Sequence, residues 1–187
     1  MSDIDNSMIT NKSEFFNFRI NYANIKPIDT ADGEGVRVAL YVSGCSFKCE
    51  GCHNKEAWDY NYGEPFTEET LKTIINALNK NFIAGFSILG GEPLDKHNRE
   101  DVFKIISIIK EKFPNKTIWL WTGNTWEKIL RNKIIPREIL EKIDVIVDGL
   151  FVLSKRNLSL KFRGSDNQRV IDVKESLKRN SVICYLN

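Results

Sequence analysis

Short, continuous apolar runs alternate with amphipathic segments along most of the chain. The runs are "VRVALYVSG" (36–44), "AGFSILGG" (84–91), "KTIWLWTG" (116–123) and "IDVIVDG" (143–149). Runs of this length, rich in β-branched and aromatic residues, are typical of strands buried on both faces. We therefore expect four parallel strands. Three shorter segments, 160–164, 169–173 and 181–186, are weaker strand candidates.

The segments between the runs predict helices. Apolar residues recur at helical spacing in 65–81, where Thr67 can cap the helix, and again in 98–114, where Asn98 can do so. A shorter helical patch begins at Trp126. Apolar strands that alternate with amphipathic helices indicate an α/β fold with a parallel sheet.

The unusual residue clusters each follow one of the apolar runs. They are Cys45 to Cys52, "GGEP" (90–93), "TG" (122–123) and "DG" (148–149). Because sites in parallel α/β folds form at the carboxyl ends of strands, we expect these clusters to meet at one rim. A complete eightfold barrel needs about 250 residues. The 187 residues of this chain therefore predict an incomplete (partial) βα barrel, as a single domain over 18–187 after a polar extension at 1–17.

Composition narrows the class of protein only a little. The net charge of +2 is too small to suggest a nucleic-acid or membrane partner. The chain has no apolar run long enough to span a bilayer and its start is not signal-like, so we expect a cytoplasmic protein with reduced thiols. We interpret the basic residues near the carboxyl end as a solvated face; the alternative is a contact surface for an acidic partner. These eight residues are Lys155, Arg156, Lys161, Arg163, Arg169, Lys174, Lys178 and Arg179.

Three of the four cysteines lie within eight positions, at Cys45, Cys49 and Cys52. Thiolates favour zinc or iron–sulfur clusters. Structural zinc wants four ligands, and His53, His97 or Cys184 would have to supply the fourth. We interpret Cys184 instead as a small buried hydrophobe. Three cysteines can hold three irons of a cubane cluster and leave the fourth iron open.

The "GGEP" turn is a second feature of the same kind. By itself it is a strand-to-helix turn. Next to an open-iron cysteine motif, Gly90 and Gly91 would let a ligand approach the backbone closely, and Glu92 would accept hydrogen bonds from an ammonium group.

Together these motifs resemble the radical S-adenosylmethionine (SAM) superfamily. The more specific similarity runs through "DGEGVRVALYVSGCSFKCEGCHN" (32–54), "LGGEPL" (89–94), "WTG" (121–123), "DG" (148–149) and "FRGSDNQRVIDV" (162–173). This order of blocks is similar to that of the glycyl-radical activases of anaerobic ribonucleotide reductases, over roughly residues 20–175. Asp32 stands where that family would have Asn, and His53 where an aromatic residue is common.

The resemblance implies specific cofactor contacts. Cys45, Cys49 and Cys52 would bind a [4Fe-4S] cluster whose open iron chelates SAM. Three residues, Gly90, Gly91 and Glu92, would meet the methionyl amino group, while Gly51 and His53, beside Cys52, would touch the adenine end. Thr122 and Asp148 are further candidate contacts, for which ordinary turn chemistry is an equal alternative.

The resemblance also implies partners. The radical formed from SAM would abstract a hydrogen from a glycine Cα of the large subunit of an anaerobic ribonucleotide reductase, with a low-potential donor such as flavodoxin supplying the electron. Alternatives are a radical SAM enzyme acting on a small molecule, similar to a deazapurine synthase, an activase of another glycyl radical enzyme, and a metal-stabilised binding module. The "NQR" segment (167–169) is either a plain strand entry or part of the site or partner surface.

Overall fold

A computed structural model describes residues 17–186, so the predicted extension at 1–17 lies almost wholly outside the described residues. These residues form an α/β fold around a seven-stranded mixed sheet with the order β3-β1-β2-β4-β5-β6-β7. The strands are β1 (Asn21–Asp29), β2 (Val36–Val42), β3 (Glu64–Pro65), β4 (Ile83–Gly90), β5 (Thr117–Thr122), β6 (Val145–Asp148) and β7 (Arg169–Asp172).

The four predicted parallel strands are confirmed. Strands β2, β4, β5 and β6 pair in parallel, and their carboxyl-terminal residues Val42, Gly90, Thr122 and Asp148 lie at one edge of the sheet. The outer strands differ, because β1 pairs antiparallel with β2 and with β3, and β7 pairs antiparallel with β6. The sheet is therefore parallel only in its middle.

Five α-helices accompany the sheet within the described residues: α1 (Glu68–Leu78), α2 (Arg99–Lys112), α3 (Trp126–Arg131), α4 (Arg137–Leu140) and α5 (Val173–Arg179). Thr67 caps α1 as predicted, through a capping box with Thr70. Asn98 occupies the N-cap position of α2 as predicted, but its side chain makes no capping bond there and donates to Ser43 O instead. Among residues 17–186, no helix is both long and apolar enough to cross a membrane.

The main hydrophobic core lies between the sheet and its helices. It joins strand residues such as Leu40 and Ile88 to helix residues such as Ile74 and Ile105, all fully buried. A smaller apolar cluster on the other face of the sheet is built around Trp119, with Val145, Val147 and Val170. The helices thus cover one face, and the other face surrounds the interior in which the site lies.

Two strand predictions near the carboxyl terminus are wrong. Segment 160–164 is a turn region, and 181–186 makes only an isolated bridge between Cys184 and Ile171. Cys184 is exposed rather than a buried hydrophobe. Strand β1 was not expected from the pattern, because its residues are largely half-exposed and include Pro27, as suits a strand near a sheet edge.

Candidate cluster site

The carboxyl ends of the parallel strands open into one cavity of about 730 Å³. The predicted convergence is confirmed, because its walls include residues from all four clusters: Cys45, Cys49, Cys52, Gly90, Gly91, Glu92, Thr122, Gly123 and Gly149. Gly51 and His53 also line it. Of the predicted site residues, only Asp148 is absent from these walls.

The three clustered cysteines are free thiols around this cavity. Burial raises the pKa of Cys45, although the backbone N–H groups of Lys48 and Phe47 oppose that shift. Burial likewise raises the pKa of Cys49, against a hydrogen bond from the Phe151 backbone. Burial thus disfavours the thiolates of Cys45 and Cys49, and a positive centre such as iron would favour them.

The cysteine loop is fixed at its base by backbone hydrogen bonds. Gly44 N–H donates to Ala57 O at 2.9 Å and Cys45 N–H donates to Trp58 O at 3.2 Å. The "GGEP" turn is attached to the same base, since Gly91 N–H donates to Val42 O at 2.7 Å and Glu92 N–H to Gly44 O at 2.8 Å. The two motifs that the sequence separates by about forty residues thus form one rigid unit.

Gly90 and Gly91 make this close approach possible. Gly90 has φ of 109°, and a Cβ there would lie 2.7 Å from backbone atoms of Tyr41 and Val42. A Cβ on Gly91 would lie 2.5 Å from Gly44 O. Any side chain at either position would therefore push the "GGEP" turn away from β2 and the cysteine loop.

Asn98 was missed as a site residue by the sequence analysis. It is fully buried, and its Nδ2 donates to Ser43 O, Gly44 O and Glu92 O at 2.9, 3.2 and 3.0 Å. A single amide therefore clamps the cysteine loop to the "GGEP" turn. Its place one residue before α2 resembles a helix cap, so the sequence carried no signal for this contact.

Glu92 joins the ends of β4 and β5. Its Oε1 accepts hydrogen bonds from Thr122 Oγ1 at 2.7 Å and Leu94 N at 2.9 Å, and its Oε2 accepts from Gly123 N at 2.7 Å. Burial raises its pKa to about 7 despite these donors. The carboxylate is only 2% exposed, but each oxygen can accept further bonds from a ligand in the cavity.

The candidates Thr122 and Asp148 differ in position. Thr122 lines the cavity and holds Glu92. The expectation that Asp148 lies at the cofactor site is not met, because its buried carboxylate accepts from Trp126 N at 2.7 Å and from Arg169 Nε at 3.0 Å. Asp148 instead anchors the start of α3 and the start of β7.

A polar group at the cavity wall was not predicted from the sequence. Lys26 Nζ donates to Tyr41 Oη at 2.6 Å and to Asp29 Oδ1 at 3.2 Å, and Tyr41 Oη donates to Asp32 Oδ2. Burial and the bond to Asp32 raise the pKa of Tyr41 to about 12. Lys26, Asp32 and Tyr41 all face the cavity. Only Asp32, in "DGEG", carried any sequence signal.

The residues present fit an iron–sulfur cluster. Within 17–186, no group of three or more His, Cys, Asp or Glu side chains is assembled tightly enough to hold a metal ion. The three thiols line one cavity, and in a cubane cluster each thiolate binds a different iron. The buried Trp58 Nε1, on the same cavity wall, has no hydrogen-bond partner among the described residues. An unpaired buried donor costs about 1–3 kcal/mol, so a bound group with an acceptor atom would suit this wall.

Comparison with known proteins agrees with that chemistry. Residues 31–171, which contain the three cysteines, match the family model described as a 4Fe-4S single cluster domain. Curated relatives named anaerobic ribonucleoside-triphosphate reductase-activating protein are 43% identical in Enterobacteria phage T4 and 40% identical in Escherichia coli K12. Each alignment spans 153 residues, which is 81% of this chain and 93% or 97% of the relative. The Pasteurella multocida relative is 38% identical over 80% of this chain and 95% of its own length.

The chain belongs to this family of activating proteins. In this activating-protein family member, the matched region includes β2, β4, β5 and β6, whose carboxyl ends open into the cavity. The resemblance inferred from the motifs is thereby confirmed. The residues of the "NQR" segment (167–169) make different contacts. Arg169 pairs with Asp148 and Glu127, while Asn167 and Gln168 bond to the backbone of the preceding loop.

Proposed function

We propose that this protein is a radical SAM activase that generates a glycyl radical on an anaerobic ribonucleotide reductase. The observation that carries the proposal is the joining of the three-cysteine loop to the "GGEP" turn around one cavity, in a member of the activating-protein family. The seven-stranded sheet would then be the partial βα barrel of the radical SAM type, in a single domain over 18–187.

In this proposal, Cys45, Cys49 and Cys52 hold a [4Fe-4S] cluster with one iron free of protein ligands. The chemistry that the bound groups supply is electron transfer from the cluster to SAM, with reductive cleavage of SAM to a radical. The protein's own contribution is to bind and orient these groups and to keep water from them. Asn98 serves this purpose by locking the cysteine loop to the "GGEP" turn.

SAM would contact the walls that surround the cysteines. Gly90, Gly91 and Glu92 face its amino group, and the carboxylate of Glu92 is held in place by Thr122 and Gly123. Gly51, Cys52 and His53 lie on the exposed side of the cavity, where the adenine end would lie. Trp58 Nε1 would donate to an acceptor atom of the bound cofactors and so gain the partner it lacks.

The free thiols suit a reducing cytoplasm. We propose a low-potential donor such as flavodoxin as the source of the electron. The names of the relatives support the reductase as the partner, because these relatives are activating proteins of anaerobic ribonucleoside-triphosphate reductases. The glycine to be activated would have to reach the same cavity that holds SAM.

Anaerobic reconstitution and a two-step assay test the proposal. The protein should take up about four irons per chain, and dithionite with SAM should release 5′-deoxyadenosine. Addition of the cognate reductase large subunit should then yield an enzyme that reduces ribonucleoside triphosphates. Turnover of a small molecule in place of reductase activation would favour a different radical SAM enzyme, and zinc without iron after anaerobic purification would contradict the proposal.

A further inference from the structure

The residues between β6 and β7 form one wall of the cavity, called here the wall loop (149–168). It contributes residues along its whole length to the cavity lining: Gly149, Leu150, Phe151, Arg156, Leu158, Phe162, Arg163, Gly164 and Gln168. It also touches the cysteine loop, because a Cβ on Gly51 would lie 2.7 Å from Leu153 Cδ1. The wall loop is therefore continuous with the cluster site and forms part of its mouth.

The wall loop is fixed although it lacks long regular elements. Gln168 Oε1 accepts from Gly164 N at 2.9 Å and Ser165 N at 3.1 Å, and its Nε2 donates to Gly149 O at 3.0 Å. Asn167 Nδ2 donates to Leu150 O at 2.8 Å, and Trp121 Nε1 donates to Phe162 O at 2.8 Å. These bonds hold both ends of the loop in place, so its outer surface is presented in a defined shape.

That outer surface is apolar at several points. Leu158 is 85% exposed, the highest value for a large apolar side chain among the described residues, and Leu150 and Leu153 are 40% and 42% exposed. Single exposed leucines are common on protein surfaces. Here, however, the three lie on one loop at the mouth of the site, where a partner must approach.

The basic residues near the carboxyl end fall into two groups. Those beyond the wall loop are paired: Arg169 with Glu127 and Asp148, Lys174 with Asp144, and Lys178 and Arg179 with Glu175. By contrast, the ion pairs found within 17–186 include none with the four on the wall loop, which are Lys155, Arg156, Lys161 and Arg163. Asp166 is the wall loop's one acidic residue. The charges of the paired group are therefore neutralised within the protein, whereas the four cations of the wall loop remain available to a partner.

We infer that the wall loop is the docking surface for the glycine-bearing segment of the reductase. In that segment, carboxylates beside the glycine would contact the cations of the wall loop, and an apolar side chain would contact its exposed leucines. This inference rests on the proposed function. The unpaired cations give the surface an excess of positive charge, which selects an acidic partner and speeds its approach. The exposed leucines supply apolar area that a correctly placed segment would bury.

Charge reversal away from the cavity lining tests the inference. Lys155 and Lys161 are exposed and do not line the cavity, so Lys155→Glu with Lys161→Glu leaves the cofactor site intact. We expect about tenfold weaker binding of the reductase large subunit at low salt, with a smaller salt dependence, as for the loss of complementary rim charges. The matched control is Lys80→Glu with Lys112→Glu, two exposed lysines outside the wall loop.

A second pair of variants tests the apolar part. Leu158→Asn should weaken reductase binding about threefold to tenfold, as expected for loss of one buried apolar contact. Phe82→Asn is its control, because Phe82 is 57% exposed and lies just before β4, at the opposite end of the sheet. Equal reductase affinity for wild type and both wall-loop variants would overturn the inference.

Cleavage of SAM with dithionite needs no partner protein, so it tests the proposed function separately from the docking surface. Wild type, the charge-reversed variant and the two control variants should release 5′-deoxyadenosine at the same rate, whereas Leu158→Asn changes a residue that lines the cavity and is compared by reductase affinity alone. If they do and only the wall-loop variants bind the reductase poorly, the inference is supported; replacing carboxylates beside the partner's glycine with lysines should then restore binding to the charge-reversed protein. If wild type neither cleaves SAM nor binds the reductase, the proposed function itself is wrong.

Discussion

A cavity lies at each end of the central sheet. The two cavities differ in whether their polar groups already have partners within the protein. At the amino ends of the parallel strands, a cavity of about 530 Å³ is lined by charged residues including Glu34, Asp144 and Lys174. At the carboxyl ends, the larger cavity holds the thiols. Size and charge alone would make both plausible sites.

The charged groups at the amino end already have partners within the protein. Asp144 accepts from Lys174 Nζ at 2.6 Å, Lys110 Nζ at 3.1 Å and Ile118 N at 2.8 Å. Glu34 accepts from Tyr185 Oη at 2.7 Å. The bonds to Asp144 hold the fold together, and its ion pairs with Lys110 and Lys174 neutralise these charges within the protein.

At the carboxyl end, several groups lack partners among the described residues. Trp58 Nε1 has no acceptor, and burial disfavours the thiolates of Cys45 and Cys49. The wall loop adds cations without counter-ions. Polar groups without partners, rather than the presence of a cavity, therefore mark the functional end of this sheet.

The largest expected effect is at the cysteines. Cys49→Ser should reduce iron after anaerobic reconstitution from about four per chain to well below one, because a serine hydroxyl is a poor ligand for this soft cluster. The matched control is Cys184→Ser, since Cys184 is exposed and far from the motif in the chain. Iron analysis and visible absorption check both. Normal iron content in the Cys49 variant would place the cluster elsewhere.

Glu92 should give the next effect, in the unfolding free energy of the cluster-free protein. Its folded pKa of about 7 lies above the ordinary value of 4.5 because of burial. The folded state therefore binds more protons between about pH 4.5 and 7, and its stability falls as pH rises through that window.

The size of that fall would be roughly 3 kcal/mol for a shift of this extent. Denaturant unfolding of wild type and Glu92→Gln at pH 5 and pH 8 isolates it. The stability advantage of wild type over the variant should be greater at pH 5. An advantage that is the same at both pH values would show that the carboxyl is already ionised at the lower one.

Asp144 provides the opposite case at the amino end. Burial raises its pKa, but hydrogen bonds from Lys174, Ile118 N and Lys110 outweigh burial and leave the pKa below its ordinary value of 3.8. The ionised Asp144 carboxylate therefore stabilises the folded protein above about pH 4, and this contribution is lost as the pH falls. Asp144→Asn should cost about 2 kcal/mol at pH 7, and less in acid.

The same Asp144→Asn variant separates the two ends of the sheet. It should keep full iron content and normal SAM cleavage, because its contacts lie at the amino end. Loss of iron in a variant that still folds would refute the division of the sheet into a supporting end and a reactive end.

The smallest effect is expected at Trp58. Trp58→Phe removes the unpaired N–H while keeping an aromatic ring. One hydrogen bond is worth about 1 kcal/mol, so SAM affinity should fall about fivefold if the acceptor belongs to SAM. If the acceptor is a cluster sulfur, the reduction potential of the cluster should shift instead. Titration with SAM measures the affinity, and redox potentiometry measures the reduction potential of the cluster. If neither changes, Trp58 Nε1 does not bind either cofactor.

The middle of the fold was predictable from sequence, and the edges were not. Continuous apolar runs identify β2, β4, β5 and β6 because both their faces are buried. Strand β1 is half-exposed, so its pattern is weak. The segment at 160–164 has strand-like residues, but Trp121 and neighbouring side chains fix it as part of a loop.

The site was predictable where spacing carries the chemistry. The cysteine motif and the "GGEP" turn are local patterns, and strand order alone brings them together. Asn98 and the wall loop act through contacts between residues far apart in the chain, which no local pattern reveals, and the unpaired state of Trp58 Nε1 is visible only in the folded structure. Asp148 shows the converse, since a polar residue at a strand end is used here for an ion pair with Arg169.

The most direct test of the account is electron paramagnetic resonance of the reductase large subunit after anaerobic incubation with this protein, SAM and a reductant. The reductase should show the doublet of a glycyl radical after incubation with wild type and should lack it after incubation with Cys49→Ser. A fully reconstituted protein that cleaves SAM but leaves the reductase without this signal would contradict the proposed function.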